Sequence, residues 1–194
     1  RKHLFSWVSF AAGIGASSVI GGFLIQRVLR PYQIMRMIVF LDPQIDPQGS
    51  GWHTIQSLTA VGSGGLNGKG LFEGTQSQYQ YLPLQSTDFI FSIIAEEWGF
   101  MGALLVFALY GFLLFRGLVI ASRARDVFSA LLATGVTTLF AFHFFVNVGM
   151  TVGIMPITGI PLMLVSFGGS SLWAAMICTG ILLNVSARSG PARL

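Results

Sequence analysis

The sequence predicts an all-α polytopic membrane protein: four transmembrane helices with a large extracytoplasmic loop containing short interfacial helices. Three observations carry that prediction. Of 194 residues, 53% are hydrophobic and only 9% charged, where a soluble domain has about 25% charged residues. The mean hydropathy of +0.72 leaves too little polar side-chain surface to face water on every side, so the surrounding solvent must itself be apolar. The apolar residues also gather in long blocks, of the kind that cross ~30 Å of hydrocarbon in about 20 residues.

These blocks place the spans at about 4–25, 88–115, 127–148 and 159–185 of a single membrane region, 1–194, with an outer loop at 26–87. The first span is rich in small residues (Gly13, Gly15, Ala16, Ser17, Ser18, Gly21, Gly22), which suits close helix packing in lipid. In the outer loop, 29–41 is amphipathic. Tyr32, Met35, Ile38 and Val39 stand against Arg30, Gln33 and Arg36, so this stretch suits the membrane interface. Asp42-Pro43 and Asp46-Pro47 end it. Residues 52–61 read as another short helix, and 62–74 as a glycine-dense loop whose backbone can approach a neighbour closely. Pro156, Pro161 and Gly168-Gly169-Ser170-Ser171 predict a broken or re-entrant approach to the fourth span, tolerated only where it is buried or lines a cavity.

Charge orients the spans. Arg1 and Lys2 precede the first, Arg116, Arg123 and Arg125 lie between the second and third, and Arg188 and Arg193 follow the fourth. The segment 149–158 carries no charge. Positive charge collects on the cytoplasmic side, so both ends of the sequence are expected in the cytoplasm and loop 26–87 outside. The net charge of +4 is spread along the loops and forms no nucleic-acid-binding patch. The single cysteine, Cys178, excludes an internal disulfide. The sequence opens on Arg1-Lys2-His3 without Met, which leads us to expect a segment of a longer membrane protein.

Carboxylates supply the candidate chemistry. Asp88 follows Thr87 at an expected helix start, where loop becomes membrane. It either stabilises the helix dipole or acts there as a general base or metal ligand. Glu96 and Glu97 sit within the apolar run 89–106. Carboxylates at membrane depth face a protein interior or a water-filled cavity; the alternative is a structural ion pair with a cation such as Arg30 or Arg36. Asp88, Ser92 and Glu96 are spaced by four and share one helix face. Lys69, in Gly68-Lys69-Gly70, is either a solvated loop charge or joins Arg30 and Arg36 to hold a phosphate or pyrophosphate. The loop is no P-loop, because Ser63 and Gly70 stand where Gly and Ser or Thr are required. His143 and Asn147 share a face of the third span, where a helix–helix hydrogen bond is the simpler role for a lone histidine. His3, His53 and His143 make no zinc pattern.

Together these motifs resemble the SEDS (shape, elongation, division and sporulation) membrane proteins. The resemblance is carried by Arg30-Pro31-Tyr32-Gln33, Phe40-Leu41-Asp42-Pro43, Gln56-Ser57, Gly62-Ser63-Gly64-Gly65 and Gly68-Lys69-Gly70. It continues through Gly74-Thr75-Gln76, Thr87-Asp88-Phe89-Ile90-Phe91, Glu96-Glu97, Gly159-Ile160-Pro161-Leu162 and Gly168-Gly169-Ser170-Ser171. The Gly-Lys-Gly, Gly-Thr-Gln and Ala95-Glu96-Glu97 forms are more similar to the elongation member of the family than to the division member. The pattern departs at Leu84 and Ser86, where Glu and His are usual, at Met163 in place of Pro, and at Phe167 in place of Tyr.

The resemblance implies the C-terminal part of a ten-span protein in the bacterial inner (plasma) membrane, with the remaining N-terminal spans of the same protein and membrane lipid around it. It implies a peptidoglycan glycosyltransferase that joins lipid II units into glycan strands for wall elongation and rod shape, releasing undecaprenyl pyrophosphate. The family's essential aspartate corresponds to Asp88. Lys69, Arg30 and Arg36 are then candidates for the pyrophosphate, and Thr87, Ser92, Glu96 and Glu97 for support. A divalent cation, Mg or Mn, on Asp88 is a further expectation, and a class B penicillin-binding protein, a transpeptidase, is the implied partner. A lipid II flippase and a non-catalytic scaffold that activates a transpeptidase are the alternative readings of the same spans.

Overall fold

A computed structural model describes residues 31–75 and 87–189. The predicted first span, 4–25, and Arg30 lie outside the described residues. Among the described residues every regular element is helical. Helix α1, Pro31–Leu41, is followed by a short 3-10 turn, Pro43–Ile45, whose N-terminus Asp42 caps by accepting from the Gln44 amide at 3.0 Å. Helix α2 is Ser50–Ser63, and helices α3 (Ile90–Ser122), α4 (Val127–Thr151) and α5 (Gly169–Arg188) complete the order. The last three are long and apolar enough to cross a membrane. The chain is an all-α, multi-pass membrane protein.

The helix boundaries follow local chemistry. Asp126 begins α4 by accepting from the Ser129 amide and hydroxyl, both at 2.8 Å, which satisfies a donor the first turn leaves open. These hydrogen bonds hold the Asp126 carboxyl below its usual range. Helix α3 runs on to Ser122, past the expected end near 115. Arg116 therefore lies on the helix rather than in the loop; it is exposed, and a long cationic side chain can snorkel from an apolar helix. Helix α5 starts at Gly169, not near 159. The delay has a backbone cause: Gly159 and Leu164 take φ of +74° and +71°, which no helix accommodates.

Helix α3 is broken once. Gly99 has φ 65° and ψ −157°, and the glycine loop enters the gap. The amides of Lys69 and Gly70 donate to the carbonyls of Glu96 and Glu97, both at 3.0 Å. The amides of Phe100 and Met101, which would serve those carbonyls in an unbroken helix, donate to Gly65 and Leu66 at 2.9 and 3.3 Å. The loop thus pairs both carbonyls and both amides that these two lost helical bonds leave open, as burial requires. Such contact needs glycine. A Cβ on Gly64 would lie 1.9 Å from the Ala95 carbonyl oxygen, and one on Gly68 2.0 Å from that of Glu97.

Helices α3 and α4 pack along much of their length. Phe144 stacks on Tyr110 with centroids 4.6 Å apart, within a core of Phe91, Val106, Val148 and Leu162. A second core joins Ala133, Val136 and Phe140 to Met163, Ala175, Leu182 and Val185. Gly117 brings the backbone of α3 against Thr137, as small residues do between membrane helices. Both cores enclose part of the irregular segment between α4 and α5.

Candidate functional site

Asp88 stands in the turn just before α3, half-buried, with Thr87 half-buried beside it. Its position is set from two sides. Asn147 on α4 is fully buried and donates through Nδ2 to the carbonyls of Asp88 and Ile160, at 2.9 and 2.8 Å. Gly159 lies against the carboxylate: a Cβ there would come within 3.3 Å of Asp88 Oδ2. No hydrogen bond joins the Asp88 carboxylate to another described residue, so both its oxygens retain acceptor capacity toward a ligand.

The segment from Ile160 to Met163 forms the facing wall, and its irregular backbone is satisfied by buried and half-buried side chains. Asn147 serves Ile160. The Nδ1–H of His143 donates to the Pro161 carbonyl at 2.9 Å, and the Tyr110 hydroxyl donates to the carbonyl of Met163. Ser166 Oγ accepts from the Leu162 amide at 2.8 Å. This is how non-helical backbone persists at membrane depth. His143 thus makes a structural hydrogen bond, to the loop rather than to a second helix.

A cleft of about 520 Å³ opens beside this wall, lined by Arg36, Asp46, Gln48, Gly49, Trp52, His53 and Ile157. Arg36 donates to the Ile157 carbonyl at 3.1 Å and lies over the Tyr32 ring at 5.9 Å. His53 packs near Phe89, with ring centroids 6.1 Å apart. Burial, followed by the Arg36 charge, lowers the His53 pKa below its ordinary 6.5. The cleft adjoins the Asp88 turn through Phe89 and Ile157, which pack together with Ala60.

The other candidates separate from this centre. Glu96, fully buried, pairs with Lys69 at 2.8 Å, and Thr75 Oγ1 donates to the same carboxylate oxygen at 3.1 Å. An ion pair of the expected kind therefore exists, with Lys69 as its described cation, and Lys69 does not join Arg36 in the cleft. Glu97, half-buried, offers its backbone carbonyl to the glycine loop. Ser92 shares a helix face with Glu96 but turns to α2. Its hydroxyl meets that of Ser57 at 2.7 Å, and Ser57 donates on to the Thr151 carbonyl at 2.8 Å. The four-residue spacing of Asp88, Ser92 and Glu96 thus serves three separate contacts. Asn147 was visible in the sequence only as a polar residue on the face of His143; its partner could not be read there.

No three His, Cys, Asp or Glu side chains cluster as a metal cage among the described residues. Asp88 supplies one carboxylate, which suits Mg2+ or Mn2+ only where phosphate oxygens and water complete the shell.

With this geometry in place, the comparisons with known proteins are decisive. The pattern of the Cell cycle protein family of FtsW, RodA and SpoVE matches residues 3–190. The chain belongs to this family. It is 55% identical to the peptidoglycan glycosyltransferase RodA of Treponema pallidum (strain Nichols), across 97% of this chain and 43% of that protein. It is 48% identical to the peptidoglycan glycosyltransferase MrdB of Escherichia coli (strain K12), across 81% of this chain and 43% of that protein. Among solved structures it matches a chain from a study of polymerization and crosslinking by a peptidoglycan synthase complex. That match has a TM-score of 0.70 and 33% identity, over 96% of this chain and 51% of the other. A mutant of the rod shape determining protein RodA from Thermus thermophilus matches with a TM-score of 0.53 and 36% identity, over 70% of this chain and 41% of the other. The chain spans a little under half the length of the two FtsW/RodA/SpoVE relatives named above, so what it contributes is one portion of such a protein.

Proposed function

We propose that the protein containing this chain is a peptidoglycan glycosyltransferase of wall elongation, polymerising lipid II with Asp88 as its base. One observation carries the reading. Asp88 is the family's Thr-Asp-Phe aspartate, and its carboxylate stands at the start of a span with no described residue bonded to it, next to Phe89, which packs on the Ile157 of the Arg36 cleft. A base must reach the proton it removes, and a carboxylate already consumed in an ion pair, as Glu96 is with Lys69, is poorly suited.

In the reaction, an acceptor sugar hydroxyl attacks the anomeric carbon of a lipid-linked donor. The new glycosidic C–O bond forms as the bond from carbon to pyrophosphate oxygen breaks. The hydroxyl proton passes to Asp88, and undecaprenyl pyrophosphate leaves with the electron pair. The leaving anion needs positive charge. Arg36 supplies it from the cleft, and Arg30, earlier in the sequence, is the second candidate. Lys69 acts through Glu96 on the loop instead. Asp88 is the residue that would hold a divalent cation, which would supply charge neutralisation to the leaving group.

The glycine loop and Asp88 face the outer side of the membrane, with the Arg116–Arg125 side in the cytoplasm, in keeping with the charge bias. A transpeptidase of the penicillin-binding class is the partner, a reading supported by the synthase complex that the fold matches.

The test is lipid II polymerisation in detergent by the intact protein with its transpeptidase partner. Wild type is expected to make strands, while Asp88→Asn and Asp88→Ala fold normally and make none. Strands from the Asp88 variants at the wild-type rate would end the base reading. Lipid II movement in vesicles without polymer would favour a flippase instead.

A further inference from the structure

We propose that Asn147 is the positioning residue for Asp88, acting on the backbone of Asp88 and on the wall that faces its carboxylate. The proposal rests on the reading of Asp88 as the base and adds a residue to that site. Asn147 is fully buried on α4, 59 residues from Asp88 and 13 from Ile160. A polar side chain in such surroundings is costly unless its hydrogen bonds are made. Here Nδ2 makes two, to the carbonyls of Asp88 and Ile160 at 2.9 and 2.8 Å. An amide NH2 has two hydrogens, so this group is fully used in tying the Asp88 turn to the 160–163 wall.

The consequence is geometric. Ile160 follows Gly159, and Gly159 is the residue that the Asp88 carboxylate faces. One side chain therefore sets both the place from which the carboxylate projects and the surface against which it lies. Asn147 Oδ1 is buried and has no hydrogen-bond partner among the described residues. Packing and acceptor bonds therefore do not explain why an amide stands here; the two donations do. A small displacement of a base from its proton costs rate far more than affinity, so the role must appear in turnover.

Steady-state polymerisation by the intact protein with its transpeptidase partner tests this, with wild type, Asp88→Asn, Asp88→Glu, Asn147→Leu and Asn147→Ser. Leu keeps the volume and removes both donors; Ser leaves space that water can fill. The expected result is a fall in kcat of at least about tenfold for a folded Asn147 variant, with KM for lipid II changed by less than about threefold. A second expectation separates positioning from general support. In the Asp88→Glu background, where the carboxylate is already displaced, the Asn147 substitution should cost much less, because residues acting through one another are non-additive.

Wild-type kcat in a folded Asn147 variant overturns the proposal, as does a loss confined to KM or an equal loss in the Asp88→Glu background. If both Asn147 variants fail to accumulate while Asp88→Asn accumulates normally, Asn147 serves folding and the proposal is equally overturned. Activity in Asp88→Asn is the separate outcome that defeats the base reading itself.

Discussion

Lys69 and Glu96 meet at 2.8 Å across the break in α3, one from the glycine loop and the other from the helix that the loop interrupts. The pair is asymmetric: Glu96 is fully buried, whereas the Lys69 side chain is 27% exposed. Removing the lysine takes a cation from a buried carboxylate on which Thr75 also donates; removing the carboxylate leaves an ammonium that can turn to water. Breaking a buried pair from one side costs about 3–5 kcal/mol, and the partial exposure of Lys69 lowers that figure here. We expect Lys69→Met to destabilise the protein by about 2–3 kcal/mol and Glu96→Gln by about 1 kcal/mol. Thermal unfolding of the purified variants checks the order, and equal losses would contradict it.

The loop that carries Lys69 should be intolerant of a single methyl group at chosen positions. Gly64 has an ordinary φ of −72°, so alanine there is strained only by its contact with the backbone of Ala95 and Glu96. We expect Gly64→Ala to cost about 3 kcal/mol. Gly68→Ala adds a left-handed φ of +79° to its clash and should be worse. Gly62→Ala meets nothing within 4 Å and lies in α2, where alanine is the better helix former by up to about 1 kcal/mol. Comparing melting temperatures of the three variants tests whether backbone contact is what the glycines provide.

The same region shows what the sequence can and cannot reveal. The three described spans are legible because apolar blocks of the right length have few other uses, and Pro156 and Pro161 announce the irregular approach to α5. The glycine loop was recognised as able to make close contacts. The break at Gly99 was not legible: Trp98-Gly99-Phe100 lies in a continuous apolar run, and the break exists because a loop about 30 residues earlier fits the gap. Likewise, periodicity grouped Asp88, Ser92 and Glu96, but which neighbour each meets depends on α2 and the loop. Asp88 itself was legible as a helix-start acid at the membrane edge, whereas the Asn147 contact that anchors it is a long-range one.

His53 should make stability fall on the acid side of neutrality. Its pKa in the folded protein is lowered from 6.5, first by burial and then by Arg36. The unfolded chain therefore binds the proton more readily, and folding loses free energy as the pH drops below 6.5. Above that value both states are neutral at this residue and it contributes nothing. His53→Gln is expected to flatten the stability profile just below pH 6.5. Denaturant or thermal unfolding across that window is the check. An unchanged slope in the variant would assign the acid sensitivity elsewhere.

The wall facing Asp88 should loosen locally when one of its donors is removed. Tyr110 is the cleanest choice, because Phe preserves the stacking on Phe144 and deletes only the hydroxyl that serves Met163. The carbonyl is then left in a buried, apolar setting, at a cost of about 1–3 kcal/mol. His143 and Asn147 still hold Pro161 and Ile160, so the segment should not detach as a whole. Hydrogen exchange should therefore quicken at Leu164, Val165 and Ser166, which follow Met163, while the amides of α4 keep their protection. The Val165 and Ser166 amides donate to the Leu162 carbonyl at 3.2 and 2.8 Å, so they report on the same turn. Uniform loss of protection across α3 and α4 would instead mean that the Tyr110 hydroxyl supports the helix pair, not the wall.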